Sequence, residues 1–155
     1  MIGKVIGGQY RIDEEIGRGA MGIVYRGEDL KLHRPVAVKF LQFSGLGGAE
    51  TIKKVLKEAR TLAAIEHPAI CPIYNVIESE DAACLVMGYV AGHSLKAHLE
   101  SQGTLGWKDA LQLVLEASEG LHAAHLKGII HRDIKPDNLM LNEHGVVKIT
   151  DMGLA

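Results

Sequence analysis

His131-Arg132-Asp133-Ile134-Lys135-Pro136-Asp137-Asn138 places an acid, a cation and an amide carbonyl within one short stretch, between a helical pattern and a short strand pair. Those residue types suit a loop that handles a phosphorylated substrate. Asp133 and Asp137 are also ordinary turn formers, a reading that accounts for the composition but not for the spacing.

On the N-terminal side of this loop a long helix is expected from about Trp107 to Lys127. Its apolar stripe is Trp107, Ala110, Leu111, Val114, Ala117, Leu121 and Ala124, and Gly128 supplies a left-handed end. Ser94 is an N-cap for a shorter helix over Leu95–Glu100. On the C-terminal side, Leu139–Leu141 and Val146–Ile149 pair around the turn Asn142-Glu143-His144-Gly145, and the chain closes on Asp151-Met152-Gly153-Leu154-Ala155.

The first half has a different period. Tyr10–Ile16 alternates, meets Gly17-Arg18-Gly19-Ala20-Met21-Gly22, and continues as a second β-prone run, Ile23–Glu28, and a third, Arg34–Leu41. Two strands joined by a glycine-rich bend form an antiparallel hairpin. A dinucleotide-binding fold requires a helix after the glycines, so that reading fails on context. After a flexible connection at Gly45–Gly48, Ile52, Val55, Leu56, Ala59, Leu62 and Ala63 recur at helical spacing, with Glu58 at the edge of the stripe. His67-Pro68 is expected to end this helix. Ile70–Ile77 and Ala83–Met87 read as two further strands around a turn at Glu78-Ser79-Glu80-Asp81, followed by the connector Gly88–Gly92. The first half therefore holds about five strands and one helix.

Among the 155 residues, 47% are hydrophobic and 23% charged, with a net charge of −2; this is a soluble globular composition that gives no reason to expect nucleic acid or an anionic membrane as partner. Cys71 and Cys84 lie in apolar runs without metal-ligand spacing and read as buried, reduced thiols, which suits a cytoplasmic setting. No secretory signal is visible, and no stretch approaches the roughly 20 apolar residues needed to span a bilayer. His122 and His125 stand at i and i+3 but lack a third ligand.

Gly17-x-Gly19-x-x-Gly22-x-Val24, Val36-Ala37-Val38-Lys39, His131-Arg132-Asp133-x-Lys135-x-x-Asn138 and Asp151-x-Gly153, in that order, resemble the protein-kinase signature set. The resemblance covers about Tyr10 to Ala155, and Lys135 two residues after Asp133 is similar to the serine/threonine branch; the last motifs look bacterial. It implies an α+β, two-lobe fold with a five-stranded antiparallel sheet and one helix, then an incomplete helical lobe. The lobes would be residues 1–87 and 93–155, joined by a hinge at 88–92. It implies ATP and Mg2+ as cofactors, and transfer of phosphate to serine or threonine hydroxyls of a protein substrate.

The roles it implies are these. Gly17, Gly19 and Gly22 let backbone N–H groups approach phosphate, and Lys39, steadied by Glu58, meets the α- and β-phosphates. Asp133 is the base and Lys135 contacts the transferring group, while Asn138 and Asp151 ligate magnesium. Met87 guards the back of the adenine pocket, the backbone of Gly88 and Val90 meets the adenine edge, and Ile16, Val24, Ala37 and Met140 belong to the nucleotide site. His131 packs beneath the loop. Met152 replaces the family's usual phenylalanine, and Gly88 the hinge's common glutamate.

The family also implies an activation segment, an Ala-Pro-Glu-type anchor and a helical block beyond Asp151-Met152-Gly153. In a chain lacking them, the stripe from Trp107 to Ala124 is expected to be partly uncovered, Mg-ATP binding to be weak, and the chain to self-associate or recruit a partner. A rival reading is a non-catalytic nucleotide-binding or dimerising module; small-molecule phosphotransfer fits the catalytic-loop spacing less well.

Overall fold

In a computed structural model the chain is described at residues 1–19, 22–42, 48–78 and 83–151. The connection expected at Gly45–Gly48 (except Gly48), the turn over Ser79–Asp81, and Met152 to Ala155 lie outside the described residues. The chain divides into two compact units, Met1–Ala63 with Ile73–Tyr89, and Ala64–Pro72 with Val90–Ala155.

The first unit is a six-stranded antiparallel sheet in the order β1 (Val5–Ile6), β2 (Tyr10–Gly19), β3 (Gly22–Asp29), β4 (Arg34–Leu41), β6 (Ala83–Gly88), β5 (Ile73–Glu78). One strand more than expected arises because Val5 and Ile6 double back onto Arg11 and Tyr10. The glycine-rich hairpin forms as read, and pairing runs to its end, with Gly17 opposite Val24 and Gly19 opposite Gly22. β4 is central and buried on both faces, which is why Val36, Ala37, Val38 and Lys39 form an unbroken buried run and not an alternating one. Tyr10, Ile12, Ile23, Tyr25, Val36, Val38, Cys84 and Val86 form one core, in which Tyr25 meets Phe40 edge to face at 5.6 Å.

Helix α1 (Gly48–Leu62) buries Val55, Leu56, Ala59 and Leu62, the stripe read from the sequence, and packs against β5. It stops at Leu62, five residues before His67, and Ala63 is exposed. His67-Pro68 instead makes a turn, in which the Ala69 N–H donates to His67 Nδ1 at 3.0 Å. The strand expected over Ile70–Ile77 is divided at Pro72, which has no N–H to continue a ladder. Residues 73–78 join the first sheet, whereas the Cys71 N–H donates to the Ile149 carbonyl at 2.9 Å and Ile149 N–H to the Ala69 carbonyl at 2.7 Å in the second unit.

The second unit contains a three-stranded sheet, β7 (Gly92–Ser94), β8 (Leu139–Asn142) and β9 (Val147–Ile149), with helices α2 (Leu95–Gln102) and α3 (Trp107–His125). Ser94 caps α2, its hydroxyl accepting from the Ala97 N–H at 3.1 Å. α3 ends in a Schellman arrangement: Ile129 N–H bonds the Ala124 carbonyl and Gly128 N–H the His125 carbonyl, with Gly128 at φ 75°.

The stripe read over α3 is partly uncovered, as expected. Its members Ala117 and Ala124 face inward, joined by Leu113 and Gly120, which were not read as part of it, whereas Trp107, Leu111 and Val114 are exposed. Gly120 explains the choice of face. A Cβ there would sit 3.1 Å from the Ala69 side chain and 3.2 Å from Ile149, so the missing side chain lets the helix approach that layer closely. Both cysteines are buried thiols outside any disulfide, and burial pushes the Cys84 thiol up to about 11.

Candidate active site

Register alone gathers the expected residues of the first unit. Val24 lies opposite Lys39, Lys39 opposite Leu85, and Ala37 opposite Met87, so these five side chains share one face of the first sheet. Lys39 is 5% exposed there, and Glu58 is half-buried on α1. A lysine held among Val24, Ala37 and Leu85 keeps a compact cation largely away from bulk water, where it attracts an anion more strongly than on a surface. Leu85 was not singled out in the sequence because it reads as one more apolar residue of a buried strand.

Ile16 is the extra residue where the register of β2 shifts between Glu15 and Gly17, and it is exposed. Gly22 differs from the other two glycines. It has φ 140°, and a Cβ on it would overlap the Phe40 carbonyl oxygen at 1.8 Å, so strand pairing itself demands glycine there. Gly88 ends β6, half-buried.

The second unit assembles its own set of expected residues. The one-turn 3-10 helix Pro136–Asn138 turns the chain so that Asn138 is buried beside Asp133. Four links then close a ring. The Asp133 N–H donates to His131 Nδ1 at 3.2 Å, and His131 Nε2 meets the Thr150 carbonyl at 2.8 Å. The Thr150 N–H donates to the Asn138 carbonyl at 2.9 Å, and Asn138 Nδ2 donates to the Asp133 carbonyl at 2.7 Å and carboxylate at 3.1 Å. Because Nδ1 accepts from a backbone amide, the ring proton of His131 resides on Nε2. His131 is thus a buried structural member of the loop, as its sequence context indicated.

Lys135 Nζ lies 2.8 Å from Asp133 Oδ2. The lysine's hydrogen bond, with a second from Asn138, holds the Asp133 carboxyl below the usual carboxylate range against the opposing effect of desolvation, and the same contact raises Lys135. Such a carboxylate stays charged throughout the neutral range. Its contribution to stability is complete above the unfolded carboxylate pKa and is lost as pH falls through the lowered folded value. Lys135→Met is expected to move the Asp133 midpoint upward, toward the ordinary aspartate value. A pH titration of the Asp133 carboxyl carbon by NMR measures this; an unmoved midpoint would assign the shift to Asn138 alone.

Asp137 pairs with Lys96 of α2 at 3.3 Å, fixing the far side of the loop. Arg132 and Asp151 both take left-handed backbone, φ 68° and 55°, an uncommon conformation for non-glycine residues that recurs at functional loops. Val90 and Met140 are half-buried in this unit, Met140 on β8 opposite Ser94. With Nδ2 committed to Asp133, the Asn138 amide is fixed in orientation and its Oδ1 lies on the opposite side; Asp151 follows Thr150 directly. An amide oxygen and a carboxylate are the hard donors that magnesium takes. Thr150, the joint of the ring, was missed in the sequence because a single threonine before an aspartate carries no spacing signal.

Comparison with known proteins shows the family. The family described as "Protein kinase domain" matches residues 10–155. The serine/threonine-protein kinase PrkC of Bacillus subtilis is 39% identical over 155 residues, covering all of this chain and 24% of the relative. The probable serine/threonine-protein kinase PknB of Lactococcus lactis is 39% identical, covering 99% of this chain and 25% of the relative. The serine/threonine-protein kinase pkn2 of Myxococcus xanthus is 41% identical over 154 residues, covering 97% of this chain and 18% of the relative. The chain thus spans a quarter or less of the length of these relatives. The ordered motifs, the glycine hairpin, the buried lysine and the closed loop around Asp133 have one common explanation: this chain belongs to the protein kinase domain family.

Proposed function

We propose that the protein transfers the γ-phosphoryl group of ATP to serine or threonine hydroxyls of a protein substrate. The observation that carries this reading is the ring around Asp133, which fixes a charged carboxylate 2.8 Å from a lysine ammonium and beside a buried asparagine. Asp133 orients the acceptor hydroxyl and takes its proton; as a weak base it receives that proton late, when bond formation has made the hydroxyl acidic. Lys135 stands ready for the charge of the transferring group, and Lys39 for the α- and β-phosphates. Asn138 Oδ1 and the Asp151 carboxylate are the residues that would hold Mg2+. That ion, when bound, neutralises phosphate charge.

The serine/threonine names of the relatives support the substrate class, and the two buried reduced thiols support a cytoplasmic setting. Among the described residues no helix is long and apolar enough to cross a membrane. Incubation of the chain with radiolabelled ATP and a basic protein, followed by phosphoamino-acid separation, tests the reading. Phosphoserine and phosphothreonine are expected, abolished by EDTA. Nucleotide binding without transfer would favour the non-catalytic module.

The exposed face of α3 bears on the state of this chain in solution. Trp107 is 73% exposed, Leu111 62% and Val114 57%, with Leu115 beside them. Large apolar side chains adjacent on one helix face favour association with a second copy. Sedimentation velocity is expected to show a coefficient that rises with concentration, and Leu111→Glu with Val114→Glu is expected to abolish the rise. A wild-type chain that stays monomeric at the highest concentration contradicts this.

A further inference from the structure

Thr150 lies outside every motif from which the site was read, yet all three of its polar atoms are engaged in the ring. Its N–H and its hydroxyl both donate to the Asn138 carbonyl, at 2.9 and 3.3 Å, and its own carbonyl receives His131 Nε2 at 2.8 Å. The hydroxyl thus occupies the second lone pair of an acceptor that the backbone amide already uses. The next residue, Asp151, leaves in left-handed backbone, φ 55°. Of the two oxygen donors in this unit, one is therefore bound to Thr150 through its carbonyl and the other through a peptide bond.

We propose that Thr150 is a positioning residue whose hydroxyl sets the separation and orientation of Asn138 and Asp151 as a divalent-cation pair. The inference rests on the phosphoryl-transfer reading of the site and deepens it. The physical reason is geometric. A single N–H···O link leaves the Asn138 peptide free to pivot about that bond, and a second donor on the same oxygen, from the same residue, removes the pivot. Here the support reaches the ligating side chains through the main chain of Asn138 and Asp151, and supporting bonds behind a ligand set govern affinity by holding the ligands at the right spacing before the cation arrives. A hydroxyl with only a packing role would instead support the fold without altering the response to the cation.

Thr150→Val keeps the branched shape and deletes the donor, and Thr150→Ser keeps the donor and deletes the methyl. The readout is calorimetric binding of a non-hydrolysable ATP analogue to the whole chain, first in EDTA and then across a magnesium titration. The valine variant is expected to need roughly three- to tenfold more magnesium for half-maximal enhancement, the value of one neutral hydrogen bond, with metal-free affinity unchanged. Serine is expected to fall within about twofold of wild type. A valine variant with the wild-type magnesium response overturns the proposal, and so does one that loses metal-free and magnesium-dependent binding equally, since the hydroxyl then serves only the fold. A wild-type chain with no magnesium-dependent binding overturns the phosphoryl-transfer reading and this inference with it. Those failures are told apart by which protein shows them.

Discussion

Asp133→Asn is expected to lower phosphoryl transfer by about a hundred- to ten-thousandfold, the range that a positioned general base contributes. Asparagine has nearly the shape of aspartate, and its Oδ1 accepts from Asn138 and from Lys135 as the carboxylate does, at 3.1 and 2.8 Å. The Asp133 N–H still donates to His131, so the ring of the second unit survives. What is lost is the negative charge and the lone pair that takes the acceptor proton. The variant should therefore fold with wild-type cooperativity and bind nucleotide comparably, because in the proposed reaction the residue acts on the acceptor hydroxyl and not on the triphosphate. Radiolabel transfer to a basic protein measures the first property and a calorimetric nucleotide titration the second. Equal, background transfer by wild type and variant would mean that the chain binds nucleotide without using it. A variant that unfolds would mean that the carboxylate serves the loop's structure before any chemistry.

The parts of this molecule that were legible in its sequence are those where one residue type has one physical use. Lysine in an apolar β-run, glycine beyond a helix end, and serine before a helical pattern each announce their position, and Lys39, Gly128 and Ser94 occupy the places expected. The stripe read over α3 is partly uncovered, as expected: Ala117 and Ala124 are buried while Trp107, Leu111 and Val114 are exposed. What periodicity did not show is that Leu113 and Gly120 share the buried face, with Gly120 placed there because the absence of a side chain lets Ala69 and Ile149 approach. Periodicity rewards bulk, and close approach rewards its absence. The strand expected over residues 70–77 failed for a related reason. Its apolar run is continuous, but Pro72 divides it between two sheets, and one missing donor matters more to a ladder than uniform hydrophobicity. Chemistry at the site was legible as a set of residue types, whereas its wiring was not. Nothing in the spelling of the loop specifies that Thr150 joins His131 to Asn138, because that contact is made between residues 12 and 19 positions apart.

The three glycines of the hairpin are expected to separate into two classes on substitution by alanine. At Gly22 the backbone has φ 140°, which an L side chain rarely adopts, and the added Cβ would lie 1.8 Å from the Phe40 carbonyl oxygen. Neither obstacle is a movable side-chain tip, since both belong to the pairing of β3 with β4, where Gly22 stands opposite Leu41. Gly22→Ala should cost about 3 kcal/mol of stability, from backbone strain plus loss of the terminal pairs. Nucleotide affinity should then fall as a consequence of the displaced hairpin. Gly17 and Gly19 have ordinary φ. A Cβ on Gly17 would meet nothing closer than Val24 Cβ at 4.0 Å, and one on Gly19 would meet nothing within 4 Å. Alanine at either position should leave stability within about 0.5 kcal/mol, because the space is open and the backbone permissive. If that open space is where phosphate oxygens approach the backbone N–H groups, the same two substitutions should weaken ATP binding by about tenfold or more, the value of a lost charge-assisted hydrogen bond. Chemical denaturation and calorimetry on the three variants measure both axes. The outcome against this division is a Gly22→Ala protein as stable as wild type, or Gly17→Ala and Gly19→Ala proteins with undiminished nucleotide affinity. In the latter case the glycines would be serving the hairpin's twist and not a ligand.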